Sequence, residues 1–178
     1  MRVISGKYKR RTFEVPRNFK ARPTTDFAKE NLFNVLTNLI DFEECTNVLD
    51  LFAGTGSISY EFASRGVKSV TAVEINAVHH NFIRNTARDL GADNIFAVKA
   101  NVFLYLKSCP KRFDVVFSDA PYDLEGVEEV VDLVLSGEIL EENGIFIFEH
   151  SDKYNFENHP FFWQSRSYGS VQFSFFKK

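Results

Sequence analysis

Apolar residues along this chain alternate between two spacings. Ala28, Leu32, Val35, Leu36 and Leu39 recur at helical intervals and mark one apolar face. Arg22-Pro23-Thr24-Thr25-Asp26 precedes them and reads as a stop followed by capping residues, so a helix is expected to start there. Asn47 to Phe52 is mostly apolar and short, as a buried strand would be. Comparable strand runs cover 69–75, 94–99, 113–118 and 144–149. Helical stretches separate them: 58–65 closed by Gly66, 78–90 closed by Gly91, a short piece over 102–106 ending near Pro110, and 127–135. Phe161 to Phe176, broken at Gly169, reads as an antiparallel hairpin.

Strands alternating with helices imply an α/β fold with a mostly parallel sheet and helices on both faces. Strands rich in Val, Ile and Phe fit burial on both sides. The 178 residues are expected to form one domain, and the 20 phenylalanines are expected to fill its core. No run of about 18 apolar residues suggests a membrane span, and the N-terminus lacks the apolar stretch of a signal peptide. Cys45 and Cys109 stand 64 positions apart, without metal-ligand spacing, and are read as two buried thiols of a reducing cytoplasm. Neither these nor the four histidines suggest a metal site.

The net charge of −3 hides a split. Residues 1–22 carry eight basic side chains against Glu14 alone, a net of +7, which leaves −10 on the rest. Such a basic end suggests a polyanion partner, since phosphate contacts need Lys and Arg. The candidate nucleic-acid contacts are Arg2, Lys7, Lys9, Arg10, Arg11 and Arg22. Val3, Ile4, Tyr8, Phe13 and Val15 alternate with polar residues around Gly6, so this extension is expected to be a small β-hairpin rather than a loose tail.

In parallel sheets ligands sit outside the carboxyl ends of the strands. After the first strand comes Asp50-Leu51-Phe52-Ala53-Gly54-Thr55-Gly56-Ser57, where two glycines allow a sharp turn and close approach of a ligand. Glu74 ends the second strand, placed to accept ribose hydroxyls. A dinucleotide site needs a third glycine where Ser59 stands. S-adenosylmethionine carries a sulfonium and an ammonium instead of phosphates, and Asp50 offers a counter-charge. Asn101, past the third strand, could meet an adenine edge or cap the next helix, and both can hold. The candidate cofactor set is Asp50, Phe52, Gly54, Gly56, Glu74, Ile75, Asn101, Val102 and Asp119.

Ser118-Asp119-Ala120-Pro121-Tyr122 follows the fourth strand. It resembles the Asp/Asn-Pro-Pro-Tyr motif of S-adenosylmethionine-dependent amino methyltransferases, with Ala120 replacing the first proline. The lone pair of a nucleobase amine is delocalised into its ring, which makes the nitrogen a poor nucleophile. Asp119 and the Ala120 carbonyl could accept hydrogen bonds from that NH2 and align it. Such positioning supplies roughly 7–11 kcal/mol. Pro121 stiffens the loop, and Tyr122 offers a ring to a base taken out of its stack. These four residues are the catalytic candidates.

The whole chain is similar to a family of bacterial 16S rRNA (guanine-N2)-methyltransferases. Arg2-Val3-Ile4-Ser5-Gly6-Lys7-Tyr8, Arg22 to Asp26, Lys29 to Asn34, Asp50 to Gly56, Val73-Glu74, Asp119 to Tyr122 and Tyr168-Gly169 carry the likeness. The family usually has Arg where Lys29 stands and Asp where Asn101 stands. The resemblance implies a seven-stranded Rossmann-like methyltransferase sheet, S-adenosylmethionine as cofactor and guanine N2 as acceptor. The implied partner is 16S rRNA, within a small-subunit assembly particle, and a cytoplasmic monomer is expected. Adenine N6, a protein glutamine amide, or a non-catalytic RNA-binding role remain alternatives.

Overall fold

The computed structural model describes residues 1–16, 19 and 25–178. Arg22, Pro23 and Thr24, singled out above, lie outside them. The chain runs α1 (Asp26–Leu36), β1 (Asn47–Leu51), α2 (Ser57–Ser64), β2 (Ser69–Val73), α3 (Ala77–Leu90) and β3 (Ile95–Val98). It continues with α4 (Val102–Ser108), β4 (Phe113–Asp119), α5 (Glu128–Ser136), β5 (Leu140–His150), β6 (Phe162–Tyr168) and β7 (Val171–Lys177). The seven strands form one sheet in the order β3-β2-β1-β4-β5-β7-β6. Strands β1 to β5 pair in parallel, while β5, β7 and β6 pair antiparallel. Between β1 and β4 the chain reverses its direction of travel across the sheet, which leaves a crevice at their carboxyl ends.

Local chemistry accounts for the helix ends. Thr25 caps α1, accepting from the Ala28 N–H, and Asn76 caps α3, accepting from Val78 and His79. Gly91 closes α3 in the left-handed conformation. Strand residues alternate between two cores. Val48, Val70, Val115 and Ile147 meet α1, α2 and α3, whereas Leu49, Val73, Val116 and Phe148 meet α4 and α5. Most expected elements are found within a few residues. The apolar face of α1 is shorter than its spacing suggested, because the helix stops before Leu39 and buries Lys29 and Phe33 instead. Strand β5 starts earlier, at Leu140. Three phenylalanines depart from the core reading: Phe27, Phe96 and Phe161 are exposed. Cys109 is only half-buried, unlike Cys45.

The basic N-terminal extension is docked rather than free. Its antiparallel pairing reduces to one bridge, Arg2 with Thr12. The strands cannot extend because Ile4, Ser5, Lys7 and Tyr8 spend their N–H groups on α2. The fully buried Glu61 carboxylate accepts from the Ile4 N–H (2.7 Å) and the Ser5 N–H (3.1 Å). The Lys7 N–H donates to the Ser64 carbonyl (2.7 Å) and the Tyr8 N–H to the Ser64 hydroxyl (2.9 Å). Gly6 makes this approach possible. Its φ is +79°, and a Cβ there would lie 1.8 Å from the Ser64 carbonyl oxygen.

Gly6→Ala should therefore lower stability in urea by more than about 2 kcal/mol, combining left-handed strain with a backbone clash. Gly91→Ala, equally left-handed but with nothing within 4 Å of its Cβ, should suffer the strain alone, roughly 1–2 kcal/mol. Equal losses at the two positions would contradict this docking.

Candidate active site

A cleft of about 450 Å³ opens at the carboxyl ends of β1, β2, β4 and β5. Four carboxylates line it: Asp50 within β1, Glu74 after β2, Asp119 ending β4 and Glu149 near the end of β5. Asp119 and Glu149 are register partners across two parallel strands. Among the described residues, no Lys or Arg belongs to the lining. The cleft thus suits a cation and opposes a pyrophosphate.

Asp50 is the deepest of the four. It is fully buried and accepts from the Ser59 hydroxyl at 2.5 Å. Burial pushes its carboxyl up to about 7, against the Ser59 hydrogen bond, and the nearby Asp119 and Glu74 charges push the same way. The Ser59 position, read above as a missing glycine, thus serves as the partner of this acid.

Glu74 is buried and fastens the turn. One oxygen accepts from the Gly54 N–H (2.9 Å) and the other from the Asn76 N–H (2.7 Å). Each oxygen keeps a second lone pair for a ligand hydroxyl. Three residues of the turn adopt left-handed backbone: Phe52 (φ 57°), Gly54 (φ 54°) and Gly56 (φ 78°). A phenylalanine in that region is strained, and such strain concentrates at ligand sites.

The cleft brings together Asp50, Phe52, Gly54, Glu74, Ile75, Asp119, Ala120, Pro121 and Tyr122 from the sequence-derived set. Gly56 is absent from the lining. It is needed for packing, since a Cβ there would sit 2.7 Å from the Tyr60 hydroxyl and 3.1 Å from Ile83. Asn101 and Val102 are also outside it. Asn101 is exposed and caps α4 by accepting from the Leu104 N–H, and Val102 is buried in the α4–α5 core. Ile75 and Tyr122 are exposed at the rim, 59% and 48%, so apolar surface faces solvent beside the acids.

Sequence reading missed Thr25, Ser57, Ile58, Asn76, His79, Phe117 and Val171 on the lining. The capping roles of Thr25 and Asn76 were the available signal. His79 lies 3.9 Å from Glu74 and stacks on Phe19 at 4.3 Å, contacts with no local signature. Of the basic candidates, Lys7, Lys9, Arg10 and Arg11 lie near the carboxyl ends of α2 and α3. Lys7 is tied to Ser64, and Arg11 reaches the Asp89 carbonyl at 3.5 Å. Arg2 lies at the other end, paired with Asp26 at 3.2 Å and Glu30 at 3.9 Å. Arg22 is outside the described residues. Among the described residues no group of His, Cys, Asp and Glu is placed to hold a metal ion, and no helix is long and apolar enough to cross a membrane.

Comparison with known proteins gives consistent findings. A family model described as Conserved hypothetical protein 95 matches residues 1–177. Ribosomal RNA small subunit methyltransferase D of Escherichia coli (strain K12) is 35% identical over 145 residues, covering 81% of this chain and 68% of that protein. Its namesake in Haemophilus influenzae is 33% identical over 153 residues, covering 84% and 78%. The solved structure of Escherichia coli yhhF shares the fold with a TM-score of 0.87, at 24% identity, over 100% of this chain and 97% of that one.

Ionising Asp50 costs the folded protein stability, because its carboxyl titrates near 7 instead of 3.8. That cost is absent below about pH 4, grows with pH and is complete above about pH 7. Asp50→Asn, which keeps an acceptor for Ser59, should therefore gain up to about 4 kcal/mol at pH 8 and nothing near pH 4. Urea unfolding across that range checks the sign.

Proposed function

The chain belongs to the family described as Conserved hypothetical protein 95 and is a relative of the bacterial ribosomal RNA small subunit methyltransferases D, and from this premise we propose that it uses S-adenosylmethionine to methylate the exocyclic N2 amine of a guanine in small-subunit rRNA. The observation carrying this reading is the juxtaposition of four cleft carboxylates with the Asp119-Ala120-Pro121-Tyr122 loop on the same lining.

The residues present fit the cofactor. Asp50 and its carboxylate neighbours suit its positive charges, and Glu74 has lone pairs for ribose hydroxyls. Phe52, Ile75 and Ile58 offer apolar surface, and Gly54 allows close approach. When bound, the cofactor supplies an electrophilic methyl on a sulfonium. The protein's own task is to aim a weak nucleophile. The Asp119 carboxylate and the Ala120 carbonyl accept the two N–H groups of the amine, restricting its rotation so that its lone pair can localise. The exposed ring of Tyr122 stacks on the everted base. Methylation makes the nitrogen acidic, and its proton leaves to Asp119 or to water.

The basic extension supplies phosphate contacts at a distance. Helix α2 has eight residues and separates the cleft-lining Ser57 from Ser64, where Lys7 docks. At 1.5 Å per residue the seven steps between them span about 10.5 Å. Lys7, Lys9, Arg10 and Arg11 therefore engage RNA flanking the target nucleotide. The same reading takes the RNA as part of a small-subunit assembly particle and the enzyme as a cytoplasmic monomer.

Labelled methyl transfer to small-subunit rRNA, with chromatography of the digested nucleosides, should yield N2-methylguanosine. Asp119→Ala should lower kcat by at least about 10³-fold, consistent with the loss of several kcal/mol of positioning. Methylated adenosine or glutamine as product, or no transfer to any RNA, would refute the assignment. A triple Lys9→Gln/Arg10→Gln/Arg11→Gln variant should raise KM for RNA with kcat preserved. It should also flatten the logarithmic salt dependence by about 0.7–0.9 for each phosphate no longer neutralised.

A further inference from the structure

Lys29 is a buried cation that the reaction described above does not use. Its side chain is 1% exposed, on a helix face otherwise filled by Ala28, Leu32, Phe33 and Leu36. Burying an ammonium is costly unless its hydrogens are satisfied, and burial lowers its proton affinity against the pull of Glu61 and Asp26. Two hydrogen-bond acceptors and one carboxylate surround it. Nζ donates to the Arg2 carbonyl at 2.5 Å and to the Ser57 hydroxyl at 3.0 Å, and Asp26 lies at 3.8 Å.

These partners belong to different functional parts. Arg2 belongs to the basic extension and, through its guanidinium, pairs with Asp26 at 3.2 Å. Ser57 is the first residue of α2 and lines the cleft. Because the Ser57 oxygen accepts from Lys29, its own hydrogen is left to donate to whatever occupies the cleft. Thr25, the α1 cap one residue before Asp26, lines the same cleft. One ammonium thus sets the position of the extension and the orientation of a cleft donor.

We propose that Lys29 is a positioning residue that couples RNA held on the basic extension to ligand held in the cleft, through its simultaneous bonds to the Arg2 carbonyl and the Ser57 hydroxyl. This rests on the reaction proposed above. RNA that shifts the docked extension shifts the Arg2 carbonyl, and through Lys29 it biases the Ser57 hydroxyl towards its donating orientation. Linkage makes the effect reciprocal, so a ligand that engages Ser57 tightens RNA binding by the same factor.

The test measures affinity for S-adenosylhomocysteine by calorimetry with and without a saturating small-subunit rRNA transcript. In the wild type, RNA should tighten the affinity by a factor in the usual coupling range of about 5–150. Lys29→Met fills a similar volume without a donor and should bring that factor close to one. Lys29→Arg keeps charge and donors and should retain most of it. A merely structural role would shift thermal stability while leaving the factor unchanged in folded Lys29→Met protein, and that result overturns the coupling. A wild-type factor of one, with both ligands bound, overturns it as well. Wild-type protein that binds neither ligand counts against the proposed reaction instead. Should Lys29→Met not fold, Ser57→Ala removes the same link from its other end. The factor should then also fall towards one, because any direct loss of affinity cancels in the ratio, and a retained factor is again adverse.

Discussion

Four carboxylates converge on one cleft with no lysine or arginine among its described lining residues. Like charges at close quarters in a partly dry site cannot all ionise cheaply, and the protein meets this constraint in distinct ways. Glu74 spreads its charge over two backbone N–H groups. Asp50 accepts one hydroxyl hydrogen bond and holds its proton close to neutrality. A ligand bearing positive charge relieves the mutual repulsion of these acids, so selection for a cation is built into the lining before any specific contact forms. Parallel strands make the convergence possible, because every carboxyl end points to the same edge of the sheet.

The second organising interaction is the capture of the extension by α2. A segment with net positive charge would ordinarily remain mobile. Here the buried Glu61 carboxylate supplies both an acceptor for two backbone N–H groups and a partner for Arg65 at 2.9 Å. Its charge is therefore compensated despite complete burial, the condition under which a buried ion is tolerated. The extension becomes a fixed wall beside the α2 turn rather than a tether.

Much of the architecture could be read in advance, for local reasons. Strand β4 is a short continuous apolar run of the kind a strand buried on both faces needs, Gly91 and Asn76 mark helix ends through backbone chemistry, and the Asp50–Gly56 and Asp119–Tyr122 stretches sit where a parallel sheet exposes ligands. The burial of Lys29 and Glu61 was not readable. Both are ordinary charged residues on helices, and their partners come from up to 57 positions away. The left-handed Phe52 was equally hidden, because its conformation is imposed by the turn rather than preferred by the residue. Asn101 was readable in one of its two expected roles. A polar residue after a strand suits a ligand and a helix cap alike, and in the fold its side-chain oxygen caps α4.

The contacts that hold residues 4–8 against α2 run through the main chain of the segment, its N–H groups donating to Glu61 and Ser64 and the Ser5 carbonyl accepting from the Ser64 hydroxyl, and not through its lysines and arginines. Anchorage is thereby left to the backbone, and the charged side chains are free of it. Basic residues along this stretch can be exchanged without dislodging it, because Gly6, Glu61 and Ser64 carry the attachment.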